Sequence, residues 1–278
     1  MEKRRFLLNG LCYLVLCIFS LLFFMPICIV LMNSFKNKLY ITTTPFELPT
    51  AETWVGLKNY VEGLQKIHFI NSIGYSVFIT VASIVCIVIF CSLAAWIITR
   101  VKSKMASFLY YFFLLSMVVP FQMVMYTMTR VAGVLKLDNW VGIVVLYLGC
   151  GCGMAIFMYS GFVKGIPVEL EEAASIDGCN PFAMFVRVIF PILKPISITV
   201  AILDAMWIWN DYLLPYLIIG TKYRTIPVAI QYLKGGYGST DYGYLMAIII
   251  VALIPIVCFY FMCQKYIIEG VVAGAVKG

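Results

Sequence analysis

Residues 165–195 read GIPVELEEAASIDGCNPFAMFVRVIFPILKP, a polar island between two strongly apolar stretches. Four acids (Glu169, Glu171, Glu172 and Asp177) fall within nine positions of a chain whose charged residues make up only 12%. Pro167 suits the first turn of a helix, because its fixed φ is helical and its missing N–H would be unpaired there. The three glutamates follow, where the positive end of the helix dipole favours them. Gly178 stands where a left-handed C-terminal cap is wanted. Asn180 and Pro181 read as the N-cap and first position of a second helix, which Pro191 and Pro195 would end. The stretch predicts a short helix–turn–helix outside the apolar segments. Leu170, Ala173 and Ala174 share one face of its first helix, with Glu171 and Glu172 beside it. Small alanines let a helix lie close to another surface, and a short rigid helix can seat in a groove. An ordinary solvated loop can have the same composition, so the residues alone leave both readings open.

The composition outside this island sets the class. The chain has 278 residues, 63% of them hydrophobic, and a mean hydropathy of +0.98. No soluble domain of this size needs so many apolar residues, so an all-α polytopic membrane protein is expected. A net charge of +7 would suggest nucleic acid in a soluble protein. Here Lys and Arg are scattered among apolar blocks, which fits membrane flanks and loops, and no nucleic-acid partner is expected. Most of the ten cysteines (Cys12, Cys17, Cys28, Cys86, Cys91, Cys258 and Cys263 among them) lie inside apolar runs and read as small apolar fillers. Cys150 and Cys152 with the lone His68 make no plausible zinc set, so no metal site is expected.

Six segments are long enough for the ~20 residues a bilayer crossing needs. They are approximately 6–32, 71–99, 106–128, 141–163, 196–219 and 244–264. The first is too long, and lacks the small-residue cleavage site, to be a signal peptide. Six spans put both termini on one side. The basic start MEKRR and the short basic turn at 100–104 place that side in the cytoplasm by the positive-inside rule, although the chain-wide tally of Lys and Arg is less decisive.

Glu172-Ala173-Ala174, then Gly178, then Pro191 match the EAA loop of ABC importer permeases, E-A-A-x3-G-x9-I-x-L-P. Val188 and Phe190 stand where that family has Ile and Leu, and both are apolar. Further along, Asn33-Ser-Phe-Lys36, Phe46-x-Leu48-Pro49, Asn59-Tyr60, Phe69-x-Asn71-Ser72, Pro120-Phe-Gln122, Met125-Tyr126 and Trp207-x-Trp209-Asn210-Asp211 extend the likeness to nearly the whole chain. These resemble maltose-type carbohydrate importers, specifically the shorter second permease of the pair. The resemblance implies a single transmembrane domain over 1–278 with the six-helix type I permease fold, in a bacterial or archaeal cytoplasmic membrane. It implies a homologous second permease, two copies of a nucleotide-binding ATPase, an extracellular solute-binding protein and a carbohydrate substrate as partners. It makes Glu171, Glu172, Ala173, Ala174, Asp177, Gly178 and Pro191, within the cytoplasmic loop 165–195, the ATPase-coupling residues. This chain has no G-x-x-x-x-G-K-[ST], so it is expected to be a non-enzymatic subunit binding no cofactor, with ATP and Mg held by the partner ATPase.

Three other stretches carry candidate roles. In the fifth span, Asp204, Trp207 and Asp211 lie on one helical face with Asn210 alongside. Ionisable residues inside a membrane usually face a cavity or a partner, so these four are candidates for the translocation pathway. An outer-interface position for Asn210 and Asp211, with Asp204 paired inside the bundle, is the competing reading. The last outer loop holds Lys234-Gly235-Gly236-Tyr237, suited to sugar or a protein cleft. In the related importer the corresponding loop enters the binding protein's cleft. The tail ending Gly274-Ala275-Val276-Lys277-Gly278 is too apolar for a solvated end and is expected to dock; in the related permease it reaches the ATPase. Gly149 and Gly153 form a G-x-x-x-G pair, which permits close helix approach within this subunit or between two.

A secondary transporter driven by an ion gradient is the main rival. It would normally show internal repeats and several mid-membrane ion sites, of which only the fifth-span acids are candidates. A membrane enzyme would need a cluster of His, Asp or Cys at ligand or nucleophile spacing. A receptor-like subunit that never conducts is the third.

Overall fold

The computed structural model describes residues 2–220, 222–233 and 240–275, with side chains over 9–220, 222–233 and 240–266. Fourteen α-helices follow in order among these residues: α1 Glu2–Ser34, α2 Lys38–Thr43, α3 Lys58–Lys66, α4 Phe69–Arg100, α5 Lys104–Val118, α6 Phe121–Val134, α7 Gly142–Val163, α8 Glu169–Ile176, α9 Pro181–Met184, α10 Phe190–Ile192, α11 Lys194–Asn210, α12 Leu213–Ile218, α13 Ile226–Leu233 and α14 Tyr242–Ala275. A π-helical turn, Phe185–Ile189, joins α9 to α10. Strand pairing among the described residues is limited to one bridge, Lys36 to Trp54. By internal packing the chain divides into two compact units, residues 1–69 with 229–257 and residues 70–228 with 258–278.

Four uninterrupted helical stretches are long and apolar enough to cross a membrane: Asn9–Ser34, Phe69–Arg100, Gly142–Val163 and Tyr242–Tyr266. Pro26 in α1 and Pro255 in α14 do not break them. Two bent helix pairs also meet this length and composition when each pair is taken as one span, which brings the number to six. The expected straight span 106–128 is instead α5 and α6, bent by 108°. Pro120 is the cause: Val119 before it is extended, as a residue preceding proline is biased to be, and Pro120 is itself extended ahead of α6. The expected span 196–219 also breaks, at Asp211, whose extended backbone ends α11 before the short α12 begins. At its other end α11 meets the α9–α10 segment at 76°.

In the first unit, the segment after α1 folds back on itself through side-chain bonds to backbone. Asn59 Nδ2 donates to the carbonyls of Ser34 and Lys36, each at 2.8 Å. Lys36 is buried and its ammonium donates to the Thr44 carbonyl at 2.8 Å. Burial pushes the Lys36 pKa below its ordinary value, and the charge of Glu47 opposes that shift. Phe35 stacks on Trp54 with ring centroids 4.9 Å apart. Ser34 Oγ and the Tyr60 hydroxyl share a hydrogen bond of 2.6 Å.

The second unit holds the main core. One ridge of α7 at four-residue spacing, Ile143, Tyr147, Gly151, Ala155, Tyr159 and Val163, is entirely buried. Gly151 on this ridge and Gly153 on another side of α7 set the packing distances. A Cβ on Gly151 would approach Ile87 of α4 to 2.8 Å, and one on Gly153 would overlap Ser116 and Phe113 of α5. Gly149 faces open space, so the close packing within this unit uses Gly151 and Gly153 rather than the Gly149–Gly153 pair.

Candidate functional site

Segment 165–195 is built around the cap that the sequence predicts. Gly178 has φ +82, the left-handed conformation glycine adopts without strain. Its N–H bonds the Ser175 carbonyl and the Cys179 N–H bonds the Ala174 carbonyl, which together form a Schellman motif closing α8. Two residues on, Asn180 Oδ1 accepts from the Ala183 N–H at 2.8 Å, with Pro181 opening α9. Pro167 lies just before α8 rather than in its first turn, and Val168 is the cap residue.

The two other prolines act differently from expectation. Pro191 does not end the second helix: the π-turn carries the chain across it, with the Phe190 N–H bonding the Phe185 carbonyl, so that the helix runs on to Ile192. Pro195 opens α11, where its missing N–H is tolerated. The loop is therefore a short helix, a capped turn, and a kinked helix feeding directly into a membrane span.

Within α8, Ala174 is buried while Glu172, Ala173 and Asp177 are exposed, as is Pro191 beyond it. The exposed side chains here include the apolar Ile176 (86% exposed), Phe182 (72%), Val168 and Leu170, interspersed with Glu169, Glu172 and Asp177. Glu171 turns inward. Arg100, the last residue of α4, donates from Nε to Glu171 Oε1 at 2.7 Å and from Nη2 to the Ile166 carbonyl at 2.8 Å. The two side chains are only 19% and 11% exposed. One turn earlier on α4, Trp96 packs on Phe185 of the π-turn, centroids 5.7 Å apart. The sequence reading used Arg100 only as a topology signal and missed its partner, 71 residues away.

The fifth-span candidates separate. Asp204 is 0% exposed, between α7 and α11, and neither carboxylate oxygen has a hydrogen-bond partner among the described residues. It reaches no surface of this chain, and a Cβ on Gly151 would sit 3.4 Å from it. Asp211 is a structural cap: Oδ1 accepts from the Leu213 N–H at 2.9 Å, and Oδ2 accepts from the buried Tyr147 hydroxyl at 3.0 Å. Trp207 packs edge-on against Tyr147 at 5.6 Å yet is 41% exposed, and Asn210 is exposed. Deeper, the Tyr159 hydroxyl donates to Ser197 Oγ at 2.9 Å. Of the four candidates, Trp207 and Asn210 are exposed in this chain, Asp211 is half-buried and Asp204 is buried.

Lys234, Gly235, Gly236 and Tyr237, and Val276, Lys277 and Gly278, lie outside the described residues. Gly274 and Ala275 continue α14 as helix. Among the described residues no group of three or more His, Cys, Asp or Glu could hold a metal ion.

Residues 88–271 match the family described as binding-protein-dependent transport system inner membrane component. The chain is 40% identical over 261 residues to a probable starch degradation products transport system permease protein of Thermoanaerobacterium thermosulfurigenes, covering 94% of each. It is 34% identical to a multiple sugar-binding transport system permease protein of Streptococcus mutans, covering 95% of this chain and 96% of the other. Its fold is shared with a crystal structure of a bacterial ABC transporter involved in the import of the acidic polysaccharide alginate, at TM-score 0.76 and 22% identity over 94% of this chain and 96% of that one. The capped loop, the bundle and these matches agree: the chain belongs to the binding-protein-dependent transport system inner membrane components, as a membrane-embedded permease subunit of an ABC importer.

Proposed function

We propose that this permease imports carbohydrate, and that its coupling element is α8 with its glycine cap. The observation that carries the coupling reading is the exposure of the apolar Ile176 and Phe182, with Val168 and Leu170, around the Gly178 and Asn180 caps outside the spans. Apolar side chains so exposed beside a rigid turn suit burial in a partner's cleft. The carbohydrate reading is supported by the relatives, whose names refer to starch degradation products and multiple sugars.

In this reading the complete importer contains a homologous second permease, two ATPase subunits holding ATP and Mg, and an extracellular binding protein. This chain makes and breaks no bond. Closure of the ATPase pair moves α8, and the helical bundle alternates between inward-open and outward-open. Glu172, Ala173, Asp177, Gly178 and Pro191 lie at or beside the ATPase contact, with Ala174 packing inward and Glu171 anchoring the helix. The tail 274–278 adds a second contact, and its removal weakens ATPase retention. Trp207 and Asn210 line the solute route, and Lys234, Gly235, Gly236 and Tyr237 meet the binding protein.

The test is uptake of starch-derived oligosaccharides and simple sugars by vesicles reconstituted with the co-purified assembly. Uptake is expected only with ATP on the ATPase side and with the binding protein outside. Uptake driven by an ion gradient without ATP would replace this reading with a secondary transporter.

A further inference from the structure

We propose that α4 is a rod linking the cytoplasmic coupling segment to the outer side of this subunit, with Arg100 the positioning residue at its cytoplasmic end. The inference rests on the coupling role proposed for α8. α4 has 32 residues and no internal proline, so at ~1.5 Å per residue it spans roughly 48 Å. Its cytoplasmic end grips the coupling segment at two places. The Arg100 guanidinium bonds both Glu171 of α8 and the Ile166 carbonyl before it, and Trp96 packs on Phe185 of the π-turn. Its outer end is held as firmly. The buried Ser76 Oγ accepts the Ile226 N–H at 2.8 Å, and Tyr75 meets Tyr223 edge-on at 5.4 Å.

The charges suit this joint. Arg100 sits at the negative end of its own helix and Glu171 in the first turn of α8, so each helix dipole favours the charge placed on it. A guanidinium presents two donors in a fixed fork, so it resists rotation of α8 against α4 in a way that a single ammonium could not. The other ion pair among the described residues, Lys58 with Glu62, is 3.9 Å long and solvent-exposed. Displacement of α8 therefore reaches α4 directly instead of being absorbed by the connecting residues 164–168. Long-range coupling needs such a contiguous rigid element.

The experiment compares uptake per ATP hydrolysed in the reconstituted assembly, with ATPase retention measured alongside. Arg100→Ala and Glu171→Gln are each expected to keep the ATPase and its hydrolysis while lowering uptake per ATP by about tenfold, within the usual range of coupling between sites. The double variant should be no worse than Arg100→Ala, because that substitution already removes the ion pair along with the bond to the Ile166 carbonyl. Arg100→Lys should recover part of the ratio, and Ser76→Ala at the other end should lower it. An unchanged ratio in Arg100→Ala or in Ser76→Ala, or losses that multiply in the double variant, would overturn the rod. Loss of the ATPase from both single variants would make the pair an assembly contact and overturn it too. An unsubstituted assembly with no ATP-driven uptake would instead overturn the coupling reading beneath it.

Discussion

Segments 33–69 and 165–195 are both polar interruptions of an apolar chain, and both leave large apolar side chains on the surface (Phe46, Leu48 and Leu57 in the first, Ile176 and Phe182 in the second), yet their backbones are held by different means. In the first segment Asn33, Lys36 and Asn59 turn inward and bond backbone carbonyls. In the second segment one inward ion pair and two caps fix the backbone, while Ile176 and Phe182 are left on the surface. Buried side-chain bonds to backbone carbonyls hold the first segment's shape, so their loss costs stability, whereas the caps of the second fix a turn whose exposed apolar side chains can meet a partner. The contrast predicts that loss of the first segment's buried polar side chains acts on stability and loss of the second's exposed apolar ones on assembly.

Asn59→Ala should break the first segment most. It strands two buried carbonyls, and about 3 kcal/mol is expected from that loss. The check is thermal unfolding in detergent, where the midpoint should fall by several degrees; an unchanged midpoint would remove the contrast. Gly178 gives an intermediate case. Gly178→Ala forces φ +82 on a residue with a Cβ, at about 1 kcal/mol, and should leave ATPase retention largely intact. A Cβ there meets nothing within 4 Å inside this chain. Gly178→Asp should therefore remain in the membrane with similar stability while losing uptake, because its added charge meets the partner; uptake equal to Gly178→Ala would argue against that.

Ile176→Ser sharpens the comparison further. Its stability should change by no more than about 0.5 kcal/mol, as for a surface site, but less ATPase should co-purify. Equal recovery of the ATPase would show that this face is not the contact. The smallest effect concerns the fifth span. A cysteine replacing Asp204 should stay unreactive toward a membrane-impermeant thiol reagent, whereas one replacing Trp207 should react in at least one state of the transport cycle. Reaction at position 204 would place that residue on the pathway.

Much of this was legible in the residues because it is local. Gly178 and the Asn180-Pro181 pair announce their caps by chemistry confined to a few positions, and α1, α4, α7 and α14 follow from long apolar runs. The bend between α5 and α6 was less legible because apolar residues continue past Pro120, although that proline was the available signal. Asp211 looked like a membrane acid on a helical face; its capping of α12 depends on the helix ending there. Pro191 looked like a stop because the π-turn that accommodates it leaves no simple mark in the sequence. The Arg100–Glu171 pair was hidden for a different reason: it joins residues 71 positions apart, beyond any local pattern.

The most direct measurement is purification of the tagged protein from membranes in mild detergent, with mass spectrometry of what accompanies it. The account predicts a second permease and an ATPase, with the ATPase selectively lost when residues 172–178 are altered. The protein recovered alone or only with copies of itself, and still moving solute in vesicles without ATP, would contradict it.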